Sequence, residues 1–418
     1  MKPLEFNGKV DFLLLLARSL QQCGAAAHHL ERALYKAGKG LGLESEYLAF
    51  PTGLLGSFRA PKPLRLDQEG TDAGDSHHHR SIVLRFAPGQ INLSKLSSID
   101  EAADQVLDGQ LSLDAGMQKM DAINQQGDDY HPFAQVLAYA MSSGGFATAL
   151  KGSWLDFSVA VGIGFCIGLA QLVSRRLQVV DQLFAAIASC FAAVVALSMS
   201  HLYPSLSVDL VILAGIVVLL PGLTLIIAFV ELSTKNLVAG TARLSGAFVD
   251  LMKLVFTVAI TKKLMGVTVP SPTLDLIPLP PWTEIPGVFA MALGFVILFR
   301  VRPRHALSAF TFSVISYSLA RWGGARLGIE LSFFATGALV SLSSNFFARL
   351  LKRPGMITLL PGIALIVPGS INYRGFTALF QNNVIDTVQT SISVVIIAVS
   401  LVAGLFFGNT IIPPRRSL

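Results

Sequence analysis

From Phe133 onward, apolar runs of membrane-spanning length follow one another, and that succession constrains this 418-residue chain more than any other feature. In a bilayer each backbone amide and carbonyl must find its partner within the protein, so such runs fold as helices. Residues 1 to about 130 differ, because they hold most of the acids, most of the histidines and the long polar stretches. The composition, 52% hydrophobic and 14% charged, is the average of these two parts. A polytopic α-helical membrane protein is expected, with a cytoplasmic α+β N-terminal domain over residues 1–130. The net charge of +6 does not point to nucleic acid, since much of the excess Arg and Lys lies between apolar runs, where topology signals sit. Cys23, Cys166 and Cys190 have no disulfide or metal spacing and read as small packing residues.

The first apolar stretch, "FLLLLA", is too short for a signal peptide and ends at Arg18; it predicts an amphipathic helix with Leu13, Leu16 and Leu20 on one face. A second helix is expected from about Ala26 to Gly40. "EYLAFPTGLLGSFRA" and "SIVLRFA" read as strands, the first weakened by Pro51. His77, His78 and His79 lie in a polar loop with no acidic or thiol co-ligand, so no metal is expected there. Ser98 and Glu101 have capping-box spacing, and Leu113, Met117, Met120 and Ile123 mark another helix. His28 and His29 with Glu31 come nearest to a catalytic cluster, but neighbouring helix positions point apart. No nucleophile-base pair, phosphate loop or cofactor motif stands out, so neither enzyme activity nor a cofactor is expected.

Ten spans can be drawn, at about 131–149, 153–173, 180–201, 208–230, 240–261, 286–303, 307–321, 329–349, 356–373 and 389–411. With a cytoplasmic start, the inside loops carry Arg175, Arg176, Lys235, Arg302, Arg304, Lys352 and Arg353, with Arg415 and Arg416 at the end. The outside loops carry Lys151, Lys262, Lys263, Arg321, Arg326 and Arg374, and this balance favours cytoplasmic termini. The fourth and ninth spans both contain proline-glycine pairs, so the domain divides into two five-helix units, residues 131–262 and 286–418, joined by a Pro-rich linker at 263–285. An odd number of spans makes the two units an inverted-topology repeat. Pro221 aligns with Pro361 by the "LLPG" motif, or with Pro368, which keeps the flanking spans in better register and is preferred.

A proline-glycine pair frees backbone groups at membrane depth, which is tolerated only where they face protein or a water-filled cavity. There they can meet the carboxylate and ammonium groups of an amino acid. The candidate substrate-binding residues are therefore Pro221, Gly222, Thr224, Pro368, Gly369, Ser370 and Asn372, with Tyr373 beside them. Arg243, Asp250 and Lys253 fall in or near the bilayer, where charge is expensive. Asp250 either carries a coupling proton or neutralises Lys253 three residues on. Gly164 with Gly168, and Gly404 with Gly408, have the spacing of close helix contacts.

The motifs "ARSLQQCGAAAHHLERAL", "YLAFPTGLLGSF", "INLSKLSSID", "DGQLSLDAGMQKMDAI", "VVLLPGLTL", "AGTARL" and "IVPGSINYRG" occur in an order that resembles the threonine/serine exporters of the ThrE type. The resemblance covers nearly the whole chain. It implies a ten-helix carrier of the bacterial inner membrane that exports threonine and serine against protons, with Pro221, Gly222, Arg243, Pro368, Gly369 and Ser370 on family motif positions. Its partners would be the amino acid, protons and the lipid bilayer, not nucleic acid, and a homo-oligomer is allowed. A passive channel for small polar solutes, or a membrane-anchored hydrolase with its chemistry in residues 1–130, are the alternatives.

Overall fold

The computed structural model describes residues 3–60, 79–86, 89–174, 183–266, 277–351, 354–366 and 384–414. The N-terminal domain comprises helices α1 (Pro3–Gln22), α2 (Ala27–Gly40), α3 (Leu93–Leu107) and α4 (Leu113–Gln125), and strands β1 (Glu44–Phe50), β2 (Gly53–Arg59) and β3 (His79–Arg85). Leu13, Leu16 and Leu20 are fully buried at the centre of its core, as their spacing predicts. The stretch expected as one weakened strand is a hairpin, because Pro51 lacks a ladder amide and forms the turn with Thr52 between β1 and β2. β3 completes an antiparallel sheet in the order β1-β2-β3. The predicted cap at Ser98 is also corrected. Asn92 caps α3, accepting from the Lys95 amide, and Ser98 lies one turn inside the helix.

Beyond residue 130 the described helices are α5 (Pro132–Ala149), α6 (Trp154–Ser174), α7 (Phe184–Leu202), the pair α8 (Val208–Gly215) and α9 (Gly222–Ser233), α10 (Leu237–Leu264), α11 (Glu284–Leu298), α12 (Pro303–Leu327), α13 (Ile329–Leu351), α14 (Met356–Ile366) and α15 (Val384–Ile411). Among the described residues six are long and apolar enough to cross a membrane, or up to seven when the bent α8/α9 pair counts as one span. The chain is a polytopic helical membrane protein. α5, α12 and α14 fall short of that measure, by composition or by described length.

In the bundle, α5 packs against α6, α8 and α11, and α11 against α12 and α14. α7 packs on α8 and α10, α13 on α14 and α15, α6 on α8, and α12 on α14. The glycine pairs sit at the closest approaches. A side chain at Gly164 would strike Ser143 of α5, and one at Gly404 would strike the Phe334 carbonyl of α13. Of the cysteines, Cys23 is buried in the N-terminal domain, where burial pushes its thiol up to about 12, but Cys166 is exposed on α6 and is not a packing residue.

The N-terminal domain grips the bundle at two places. At one, the Leu93 and Ser94 amides at the start of α3 donate to the carbonyls of Phe299 and Arg300, both at 3.0 Å, and Tyr130 Oη donates to the Val301 carbonyl at 2.7 Å. Arg300, at φ 52°, turns the chain between α11 and α12, and its guanidinium pairs with Asp128 at 3.1 Å. At the other, the Ala27 amide at the start of α2 donates to Glu231 Oε1 at 2.9 Å near the end of α9. Helices α9, α11 and α15 thus end, and α10, α12 and α14 begin, on the face that the N-terminal domain covers. It follows that α8 enters from the opposite face and α14 from the covered face.

Candidate functional site

The residue before a proline is pushed to extended geometry, and Leu220, at φ −66° and ψ 128°, adopts it. A short 3-10 turn at Val217–Leu219 precedes it, and the two halves of the span meet at an angle of 55°. Helix α9 restarts from Pro221, whose carbonyl accepts from the Leu225 amide at 3.1 Å. The amides of Gly222, Leu223 and Thr224 therefore have no acceptor within the helix, and no side chain caps them. On the other side of the break, Ser143 Oγ donates to the Gly215 carbonyl at 3.3 Å. Pro221 thus breaks its helix as its sequence predicts.

The break opens on a cavity of about 220 Å³, walled by Val217, Gly222 and Thr224 of the break, Phe146 of α5, Phe295 of α11 and Leu365 of α14. That is below the roughly 300–1,000 Å³ of pockets for drug-sized ligands. Thr224 supplies the polar side chain among the described lining residues, and the remaining polarity comes from backbone. Pro361 lies inside α14 without ending it, so the "LLPG" alignment does not mark a second break. Pro368, Gly369, Ser370, Asn372 and Tyr373 lie outside the described residues. The described part of α14 reaches Ile366, one residue past Leu365 of the cavity wall.

A second cavity, of about 140 Å³, lies between the N-terminal domain and the bundle. His28, His29 and Arg32 of α2 form one wall; Ser344 and Asn345 of α13 and Asn409 of α15 contribute to the rest. Leu223 lines both cavities, so the break and the junction are neighbours. The expectation that His28 and His29 point apart is corrected: their rings lie 4.1 Å apart, tilted by 39°, and face the same cavity. Burial, then His29, Arg32 and Arg243, hold the His28 imidazole down to about 2; burial and Arg32 hold His29 down to about 4.

Both rings are therefore neutral in the docked state, whereas an unfolded histidine takes its proton at 6.5. As pH falls below 6.5 the undocked or unfolded state gains protons that the docked state refuses, so stability is lost from there toward the two lower values. Hydrogen exchange in α2, corrected for its intrinsic pH dependence, should quicken as the pH passes down through 6.5. The double variant His28→Asn with His29→Asn should lose that slope. An unchanged slope in the variant would assign it elsewhere.

Arg243 makes a bidentate pair with Glu231, Nε to Oε2 at 3.0 Å and Nη2 to Oε1 at 3.1 Å. The Glu231 side chain is 0% exposed and also holds the Ala27 amide. Sequence reasoning passed over Glu231, although it is the lone acid at the end of "LTLIIAFVE". Asp250 and Lys253 pair with each other at 3.0 Å on an exposed face of α10 and line neither cavity. The structure thus does not bring Asp250 to the break, and the neutralisation reading fits its placement. The double variant Asp250→Asn with Lys253→Gln should reach the wild-type level in the membrane, whereas Asp250→Asn alone leaves Lys253 without its partner and should lower that level, as quantitative immunoblotting of membranes would show.

Comparison with known proteins gives the family. Family models described as threonine/serine exporters match residues 11–265 (ThrE) and 284–411 (ThrE_2). The chain belongs to the threonine/serine exporter family. Its relatives include the pheromone-regulated membrane protein 10 of Eremothecium gossypii, 25% identical over 86% of this chain and 48% of that protein. The same-named proteins of Kluyveromyces lactis and Saccharomyces cerevisiae are 23% and 24% identical, over 96% and 92% of this chain and 43% and 48% of theirs. The chain spans less than half the length of these relatives. No solved structure matches it. In this member of the exporter family, the break motif "LLPG" and the "AGTARL" motif supply, respectively, the open amides and the arginine that holds Glu231.

Proposed function

We propose that the chain is a secondary active transporter that exports small hydroxy amino acids, threonine and serine, in exchange for protons. The observation that carries this reading is the break at Pro221, where Gly222, Leu223 and Thr224, whose amides have no acceptor within the helix, line a small cavity at the meeting of four helices. Amides at a helix start suit a carboxylate, and the cavity has room for a small zwitterion but not for a bulky solute. The family description supports the substrate class; the fungal relatives' names specify a membrane protein and no substrate.

Ten spans in two inverted units are part of the proposal, and helix packing supports them. The contact of α5 with α6 corresponds to that of α11 with α12, α6–α8 to α12–α14, α7–α10 to α13–α15, and α5–α8 to α11–α14. The pair α5–α11 maps onto itself, as a pair astride a two-fold axis must. In this correspondence α14 is the counterpart of α8, so Pro368 and Gly369 follow it as Pro221 and Gly222 follow α8, with Ser370 and Asn372 as further substrate contacts.

Coupling falls on Glu231 with Arg243. A proton on that carboxylate would remove the charge that holds Arg243 and weaken the grip on α2, which links proton binding to the wall of the junction cavity. The Arg and Lys distribution supports cytoplasmic termini, and the bacterial inner membrane follows from the resemblance to ThrE exporters. Proteoliposomes holding labelled threonine or serine test the whole reading under an imposed pH gradient. Efflux that runs equally fast after the pH gradient is collapsed, at a fixed solute gradient, would make the protein a passive channel.

A further inference from the structure

We propose that the junction cavity is a carboxylate-binding station of its own, built by Arg32, His28 and His29 of α2 and sharing Leu223 with the break cavity. Lys9, Lys36 and Arg80 of the N-terminal domain pair with Glu5, Asp104 and Asp11. Arg32 lines the cavity and has no ion-pair partner among the described residues. Beside it the Nδ1 atoms of both His28 and His29 are buried with no hydrogen-bond partner. Buried polar atoms are nearly always satisfied, so two orphaned ring nitrogens at one cavity wall mark groups that await a ligand.

The sign of the site is set by what is missing from its lining. No Asp or Glu is among the described residues that line it. Glu31, next to this wall on α2, is engaged by the Ala49 amide at 2.7 Å, and Glu231 by Arg243 and the Ala27 amide. An anion entering here meets a guanidinium, which takes a carboxylate through two parallel hydrogen bonds, and two neutral imidazoles that can donate without adding charge. Opposite them Ser344, Asn345 and Asn409 offer hydroxyl and amide groups for the polar remainder of a small molecule. A volume of about 140 Å³ limits the occupant to a small α-amino or α-hydroxy carboxylate. Naming the exported amino acid as that occupant rests on the transport reading; the carboxylate site does not.

Calorimetry on the purified full chain tests this with three probes: L-serine, L-lactate, which keeps carboxylate and hydroxyl without the ammonium group, and L-serinamide, which lacks the carboxylate. Serine and lactate should bind and serinamide should not. Arg32→Gln should weaken lactate binding by about tenfold or more, the loss of a charge-assisted hydrogen bond, whereas Gly222→Val should leave it in place. In the unmutated protein, lactate should also move the ring NMR signals of His28 and His29. Lactate binding that is unchanged in Arg32→Gln, that disappears in Gly222→Val, or that leaves both ring signals where they were would overturn the proposal. Lactate and serine binding without serine transport would keep the station and remove the transporter.

Discussion

Glu231→Ala should lower stability by about 3–5 kcal/mol, the scale for breaking a buried ion pair by removing one partner. Two groups are stranded at once. The Arg243 guanidinium loses both its hydrogen bonds, and the Ala27 amide, at the start of α2, loses its acceptor. The effect should show as a drop in the temperature at which the detergent-solubilised protein loses its folded signal, and as faster proteolysis between α1 and α2. Glu231→Gln should be milder, because an amide oxygen can still accept from Ala27. The double change Glu231→Gln with Arg243→Gln should recover most of the lost stability, since neither charge is then buried alone, yet proton-driven export should not return. A double variant that still exports uphill would show that the pair holds the fold together and carries no proton.

What could be read in the sequence was what single residue types enforce locally. A proline cannot donate an amide, so both the hairpin turn at Pro51 and the break at Pro221 carry their cause in their own position. Apolar periodicity likewise placed Leu13, Leu16 and Leu20 in a core. The same reasoning could not reach Glu231: Ala27, 204 positions away, meets it only through the docking of two domains, and Arg243, 12 positions on, only through the packing of α9 against α10. Asp250 shows the opposite failure. Its spacing to Lys253 gave the pair, but nothing in the spacing tells which face of α10 turns toward the cavity. His28 and His29 were set aside because successive helix positions diverge by about 100°. Side chains can fold back from a helix start toward a common space, and here the junction cavity supplies it. Proline 361 is a further instance: its motif repeats that of Pro221 letter for letter, yet its helix runs on, because a proline bends a helix only where the packing lets the freed carbonyl turn away.

Gly222→Val should abolish export, with a fall of at least about tenfold, while the protein remains in the membrane at its normal level. Gly222 is buried, opens α9, and lies in the wall of the break cavity with its amide among the three that lack a helical acceptor. A β-branched side chain there would occupy space in a cavity of about 220 Å³ and restrict the backbone at the break. The fold should tolerate it better than the function does, because the first residue of a helix has no preceding turn for a β-branched side chain to crowd. Gly162→Val is the matched control: that glycine lies in α6 with open space around it, so the same substitution in another membrane helix should leave export intact. Counterflow of labelled threonine in proteoliposomes separates the two, since it needs substrate binding and the conformational change but no proton gradient. Loss of counterflow in Gly222→Val alone assigns the break to substrate handling. Normal counterflow in both variants would reduce the bend at Pro221 to a packing kink and leave the open amides of α9 without a role in transport.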